Sequence, residues 1–371
     1  VVVAGAGIIG LAVAWRLVGC GFAVTVVDPA PASAASRAAA GMLCPVAEVR
    51  YGEESVVALH LAALERWPSF AGQLEAAGSA PCGFRATGTV VVACDEDDLR
   101  VLEELGRFQR DLGLPVEFLG HRECRDLEPA LSPRARGGLR VDGEAAVDPR
   151  RVCAALLALT RDAGVTFVER TVSEVVVDGH RARGVRLDDG TELAAAHVVV
   201  ALGAWSARLG GIPASARPPV RPVKGQIIRL HFDPADPLLT RNVHGLVHGW
   251  SVYLVPRVDG ELVVGATVEE RGFDTTVTGG GVRELLDAAV ELVPAVAELG
   301  LVEASASLRP GSPDNAPVIG PSGVDGLVLA TGHHRHGVLL APLTADAVAA
   351  LLVGGRLPEV VEPFTVGRFT R

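Results

Sequence analysis

The residues that open the chain constrain it most. Val1-Val2-Val3-Ala4 has the make-up of a buried strand, Gly5-Ala6-Gly7-Ile8-Ile9-Gly10 repeats glycine at the spacing G-x-G-x-x-G, and an apolar helix runs on to about Val18. A strand that turns sharply into a helix leaves helix N–H groups facing outward, where they favour an anion. Glycine lets a pyrophosphate approach the turn and lets the helix pack closely on the strand. A second strand, Ala23 to Val27, ends at Asp28, eighteen residues after Gly10. A carboxylate there accepts from ribose hydroxyls. The expectation is one βαβ unit, its first strand clipped at its beginning, with an adenine dinucleotide at its mouth. The competing reading is a glycine-rich packing turn with no ligand, and the loop alone does not separate FAD from NAD.

At 371 residues the chain has material for two domains. Apolar residues at 49% and charged residues at 21% are ordinary globular usage, which excludes disorder and fibrous repeats. A net charge of -10 offers no basic field for a phosphate backbone, so small molecules rather than nucleic acid are expected as partners. Six cysteines lie singly along the chain, the pattern of reduced thiols in a cytoplasmic protein, and no structural zinc is expected. The uncharged start, Val1 to Trp15, lacks a basic leader and falls short of the roughly 20 residues that span a bilayer, so no membrane association is expected.

Beyond Asp28 comes a small-residue loop, Pro29 to Gly41, then an apolar-periodic helix from about Glu53 to Ala77 with a break at Pro68. Arg85 to Cys94 reads as a strand and Asp95 to Leu112 as a surface helix. Asp148-Pro149 starts a helix, with Asp as cap and Pro in the first turn. Strands follow at Val165 to Glu169, Val172 to Val177 and Val185 to Leu187, with a hairpin turn at Asp188-Asp189-Gly190. His197 to Ala201 is a β-branched run suited to a strand buried on both faces. From Pro218 to Leu308 strands with Pro and Gly turns take over, with one helix near Val282 to Leu299. A strand, Gly326 to Ala330, and a helix, Val338 to Val353, follow. The expected fold is α/β: a Rossmann-type parallel-sheet domain from residues 1–80, 148–217 and 309–371, interleaved with a mostly antiparallel α+β domain from 81–147 and 218–308.

Three further segments carry a resemblance. They are Ser36-Arg37-Ala38-Ala39-Ala40-Gly41-Met42, Val198-Val199-Val200-Ala201-Leu202-Gly203-Ala204-Trp205, and Ala330-Thr331-Gly332-His333-His334-Arg335-His336-Gly337-Val338-Leu339-Leu340-Ala341-Pro342. With the glycine loop, the chain resembles the D-amino acid oxidase superfamily of FAD enzymes, and within it the glycine oxidases of thiamine biosynthesis, from Gly5 to Pro342. The resemblance implies non-covalent FAD. Residues matching Ile8, Ile9, Asp28, Pro29, Ala35 and Ser36 hold its adenosine and pyrophosphate, Val172 meets the adenine through its backbone, and Ala40, Gly41 and Met42 lie against the flavin. His333, His334, Arg335, His336, Gly337, Val338 and Leu339 match a second flavin contact, in which a helix N-terminus faces the ring. A helix end carries roughly half a positive charge, which suits the charge that develops there on reduction. The histidines have no carboxylate or cysteine beside them in sequence, so no metal is expected.

The same resemblance assigns substrate capture to three residues. Arg309 makes a two-pronged bond to a carboxylate, Tyr253 donates its hydroxyl to the same group, and Arg335 borders the amine. A planar guanidinium matches a carboxylate in a way that lysine does not. Read without the resemblance, both arginines are surface salt-bridge residues and Tyr253 an ordinary strand tyrosine. No cysteine stands near Leu308-Arg309-Pro310-Gly311-Ser312-Pro313-Asp314, where sarcosine oxidase relatives attach flavin covalently. Two positions depart from the glycine oxidase pattern: Ser251 replaces a histidine, with His248 nearby as a substitute, and Val268 replaces a methionine. Lys224, the sole lysine, either assists oxygen reduction beside the flavin or is an exposed strand residue. The implied activity is oxidation of glycine, other small amines or D-amino acids to an imine, then glyoxylate, ammonia and hydrogen peroxide. Molecular oxygen is the acceptor, the imine is either hydrolysed or passed to a thiazole synthase, and the assembly is a homo-oligomer such as a tetramer. Rival readings are a D-amino acid or sarcosine-type oxidase, a quinone-linked dehydrogenase, or a nucleotide-binding protein without turnover.

Overall fold

The structure is a computed structural model, which describes residues 1–369. Val2–Ala4 lies inside a six-stranded sheet ordered Val318–Pro321, Leu327–Thr331, Val198–Val200, Val2–Ala4, Thr25–Val27, Thr166–Val168. Every pairing is parallel except that of Val318–Pro321 at one edge. The short runs VVA and VVV are buried throughout because their alternate side chains serve two cores. Val3, Val26, Val199 and Val328 meet the helices Ile8–Gly19, Pro149–Asp162 and Gly337–Gly354. Val2, Ala4, Val27, Val198 and Val200 meet Val175, Ala182 and Val185 of a three-stranded antiparallel sheet, Val172–Asp178, Arg181–Leu187 and Glu192–Ala194. One face is thus covered by helices and the other by a second sheet. The helical run His334–Gly354 is apolar enough to cross a membrane by length and composition, but its helix Gly337–Gly354 is a core helix packed on Ile8–Gly19.

The second large sheet has eight strands, ordered Gly300–Gly311, Arg221–His231, Glu261–Gly265, Trp250–Pro256, Asn242–Val247, Thr89–Ala93, Gly137–Val141, Glu117–Gly120. It is antiparallel but for the pairing of Thr89–Ala93 with Asn242–Val247. Ile228, Leu230, Leu254 and Val264 pack on Leu285, Ala289 and Leu292 of the helix Gly279–Leu292. Alternation turns Ile227, Val255, Val263 and Tyr253 to the other face, against Ala40 and Ala146. That face and the C-terminal ends of the parallel strands enclose the main cavity.

Local chemistry explains where elements begin. Asp148 accepts from the backbone N–H of Arg150 and Arg151 and starts Pro149–Asp162, as its sequence predicts. The helix expected from Glu53 to Ala77 divides earlier than Pro68: Val57–Leu64 ends before Trp67–Ala76 begins, and Pro68 sits in the first turn of the second piece. Proline lacks the N–H that a first turn leaves unpaired, so it opens a helix there. The helix expected to reach Leu299 stops at Leu292, ahead of Pro294.

Candidate active site

The cavity has a volume of about 980 Å³ and runs from Asp28 to Arg309. At its nucleotide end each glycine of the opening loop has its own task. A Cβ on Gly5, whose φ is +104°, would overlap the Ala201 carbonyl, and one on Gly10 would overlap the Gly5 carbonyl. Neither residue lines the cavity; they allow the close packing that shapes it. Gly7 does line it. Asp28 accepts from the Ala6 N–H at 2.7 Å and the Ala30 N–H at 2.8 Å, fixing the loop while its carboxylate borders the cavity. Ser36 Oγ accepts from the Ile8 N–H at 2.9 Å. Ile9, Pro29, Ala35 and Val172 complete this wall.

Ala38, Ala39, Ala40, Gly41 and Met42 form the middle wall. Gly41 has φ +79°, and a Cβ there would overlap the Val147 carbonyl and the Pro149 ring. Two buried arginines that the sequence did not single out hold this segment. Arg229, 1% exposed, directs Nη2 at the carbonyls of Arg37, Ala38 and Ala39 at 3.3–3.4 Å. Arg257 donates to the carbonyls of Ala40 and Val147, and burial pulls its pKa down to about 10. Small side chains leave a flat surface, and the carbonyls behind it are satisfied. This cradle fits the isoalloxazine and pyrophosphate of FAD.

At the far end Tyr253 and Arg309 come together, each facing a glycine across the sheet. A Cβ on Gly265 would overlap the Tyr253 ring, and one on Gly225 would overlap the Arg309 guanidinium. Both side chains therefore lie along the sheet toward the cavity. Arg309 Nη1 donates to the Thr267 carbonyl at 3.1 Å. Burial raises the Tyr253 hydroxyl above its ordinary pKa, against the pull of Arg309, so it remains a neutral donor.

Arg335 lines the cavity too, but its guanidinium is engaged by the Glu53 carboxylate and donates to the Glu48 carbonyl at 3.1 Å. It is half-buried and paired, so the alternative of a salt-bridge residue holds for it in part. His333 and His334 line the cavity and are held neutral by burial, with pKa values of about 3; His333 Nε2 lies 3.0 Å from Thr344 Oγ1. Gly337 and Val338 border the cavity as expected. His336 and Leu339 do not. His336 packs against His60, the two rings tilted with centroids 4.1 Å apart, and the Leu339 carbonyl accepts from Trp67 Nε1 at 2.9 Å. A helix presents only part of its first turn to a ligand, and these two fall on the core side.

Ser251 and Val268 both line the cavity. His248 does not replace the missing histidine: it is exposed, with Nδ1 3.2 Å from Asp95. Lys224 is neither exposed nor on the cavity wall. It is 1% exposed, with Nζ 3.4 Å from both Glu269 and Asp274. Among the lining residues that the sequence did not assign to the site, Glu48, Arg50 and His244 are titratable and stand at the Tyr253–Arg309 end. Glu48 and Arg50 sit on an irregular loop without periodicity, and that loop is held by Glu144. Glu144 is buried, and its Oε1 accepts from the N–H groups of Val46 and Ala47 at 2.8 Å each. Burial pushes its pKa up to about 7. Burial also raises the Glu48 carboxyl, opposed by Arg335, Arg50 and Arg309.

A dinucleotide cradle over a parallel sheet, joined to an antiparallel sheet that presents arginine and tyrosine, defines a nucleotide-dependent oxidoreductase. The family profile described as FAD dependent oxidoreductase matches residues 1–351, and the chain belongs to that family. It is an enzyme whose cofactor is FAD. The glycine oxidase of Pseudomonas aeruginosa is 35% identical over 98% of this chain and 96% of its own length. The crystal structure of glycine oxidase from Geobacillus kaustophilus superposes with a TM-score of 0.89 at 31% identity, covering 99% of this chain and 98% of that one. The bifunctional protein ThiO/ThiG of Trichormus variabilis is 32% identical over 100% of this chain, which spans 55% of that protein's length.

Proposed function

We propose that this enzyme oxidises the α-carbon–nitrogen bond of glycine or another small amino acid, yielding an imine that hydrolyses to glyoxylate and ammonia. The observation that carries this reading is the convergence of Arg309 and Tyr253 at the end of the FAD cradle. The likeness to glycine oxidases over nearly the whole chain supports it.

Ile8, Ile9, Asp28 and Ser36 would hold the adenosine and pyrophosphate, and Ala40, Gly41, Met42 and Gly337 the ring. FAD supplies a two-electron oxidant, which oxygen regenerates with release of hydrogen peroxide. The chain's own residues orient the substrate. Arg309 grips the carboxylate with parallel N–H groups and Tyr253 donates its hydroxyl to the same group. Both contacts hold the α-carbon at the ring wall, an effect of positioning that replaces a chance encounter. Glu48 receives the ammonium proton, leaving the amine neutral for oxidation. His244, neutral with a pKa of about 3, closes the pocket without adding charge. The proposal extends to supply of the imine to a thiazole synthase, which the likeness to ThiO/ThiG supports, and to a homo-oligomeric assembly.

The test is an anaerobic visible spectrum of the purified holoenzyme before and after glycine, then after air. Bleaching of the yellow band with recovery in air is the expected result. A yellow protein that glycine leaves unchanged, but D-alanine or sarcosine bleaches, would replace glycine as the substrate.

A further inference from the structure

We propose that Arg50 is a second anion contact in this site, and that the enzyme prefers amino acids carrying one carboxylate beyond the one Arg309 holds. The proposal rests on the amino acid oxidation argued above and narrows its substrate class.

Arg50 lines the same cavity as Glu48, Tyr253 and Arg309. Among the described residues its guanidinium takes part in no hydrogen bond or ion pair. Arg335, in the same corner, shows the contrast: Glu53 occupies it. Arg50 is half-buried, and burial works against its charge. Five donors taken partly out of water without an acceptor are costly unless a ligand supplies one.

The charges agree. Arg50, Arg309 and Arg335 face Glu48 and Glu53 at this end. The Arg335–Glu53 pair cancels, which leaves two guanidiniums opposite Glu48. When Glu48 takes the ammonium proton it becomes neutral, and a single substrate carboxylate then leaves one cation unbalanced. A second carboxylate, on the nitrogen substituent or the side chain, closes the balance. Space for it exists beside Tyr253, since Ser251 shares that face of the strand and is small.

The experiment uses the FAD-loaded enzyme and its Arg50→Met and Arg50→Lys variants. Acetate, malonate and succinate are titrated against the visible spectrum, and turnover is measured with sarcosine and with its dicarboxylate analogue, N-carboxymethylglycine. The expected result is that a dicarboxylate binds the wild-type enzyme about tenfold or more tighter than acetate, as a charge-assisted contact predicts. The ratio of kcat/KM for N-carboxymethylglycine to that for sarcosine falls at least about tenfold in Arg50→Met and is partly restored in Arg50→Lys. Equal binding of acetate and both dicarboxylates, or a preference that survives in Arg50→Met, would overturn the proposal. Absence of turnover with every amine would instead sink the oxidase reading, while the anion titration would still report on Arg50.

Discussion

Arg309 and Tyr253 reach the cavity because glycine stands beside each, so the site depends on residues that touch no substrate. Gly225→Ala would drive a methyl group into the Arg309 guanidinium. It is expected to raise KM for glycine about tenfold or more while FAD absorbance is retained. Arg309→Ala removes the carboxylate contact itself and should cost about 2–5 kcal/mol of substrate binding. Steady-state kinetics check both, and an unchanged KM in Arg309→Ala would remove that residue from its role. Arg309 and Tyr253 were singled out in sequence through the family resemblance their segments carry, not by a pattern of their own. Glu48, Arg50 and Glu53 were not, because a loop has no period to read. The Arg335–Glu53 pair joins residues 282 positions apart, and nothing in one sequence announces such a contact. Lys224 misled for a related reason: its partners Glu269 and Asp274 come from a distant segment, and pairing is what permits a buried lysine.

The segment from Arg37 to Gly41 is the element on which cofactor binding turns, and it keeps its shape through Arg229 and Arg257. Arg257→Met would leave the carbonyls of Ala40 and Val147 without donors. The expected outcome is a lower ratio of visible to ultraviolet absorbance in the purified protein, restored in part by added FAD. Glu144 plays the same part for the loop bearing Glu48 and Arg50. Its carboxyl titrates near 7 in the fold against 4.5 when unfolded, so the stability it contributes is full below about pH 4.5 and is lost as pH rises through 7. Glu144→Gln keeps the acceptor and cannot ionise. Its melting temperature relative to wild type should therefore climb between pH 4.5 and 7, and a constant difference would contradict the raised pKa. Among the elements, strands with β-branched runs and helices with Asp or Pro starts were read from sequence nearly in place. The twelve-residue strand Gly300–Gly311 escaped notice. Its sequence, GLVEASASLRPG, is low in strand-forming residues, and it is extended because it pairs along Arg221–His231.

At the scale of the molecule the parallel sheet and its glycine loop were apparent from the outset, as were two strands and a hairpin turn of the three-stranded sheet, whereas the place of that sheet on the second face came only with tertiary structure. Five histidines are held neutral by full or partial burial: His60, His244, His333 and His334 with pKa values of about 3, and His336 well below its ordinary value. An unfolded histidine takes up a proton near 6.5, so each contributes stability that is present above that pH and lost as pH falls toward 3. The slope is at most about 1.4 kcal/mol per histidine per pH unit. Glu144 acts in the opposite sense between 4.5 and 7, but it is one group against five. The urea midpoint is expected to drop steadily from pH 6.5 to 5, and a flat profile would show that these histidines are charged in the fold.

The order of strands in the parallel sheet also bears on how the protein is made. Val2–Ala4 is flanked by Thr25–Val27 and Val198–Val200, and the helix Ile8–Gly19 is covered by Gly337–Gly354, the last long helix. A ribosome releases the first of these segments long before the last. The apolar flank of Ile8–Gly19 must wait, uncovered, through the synthesis of more than three hundred residues. Chaperone dependence and aggregation of nascent chains stalled before Gly337 follow from that delay.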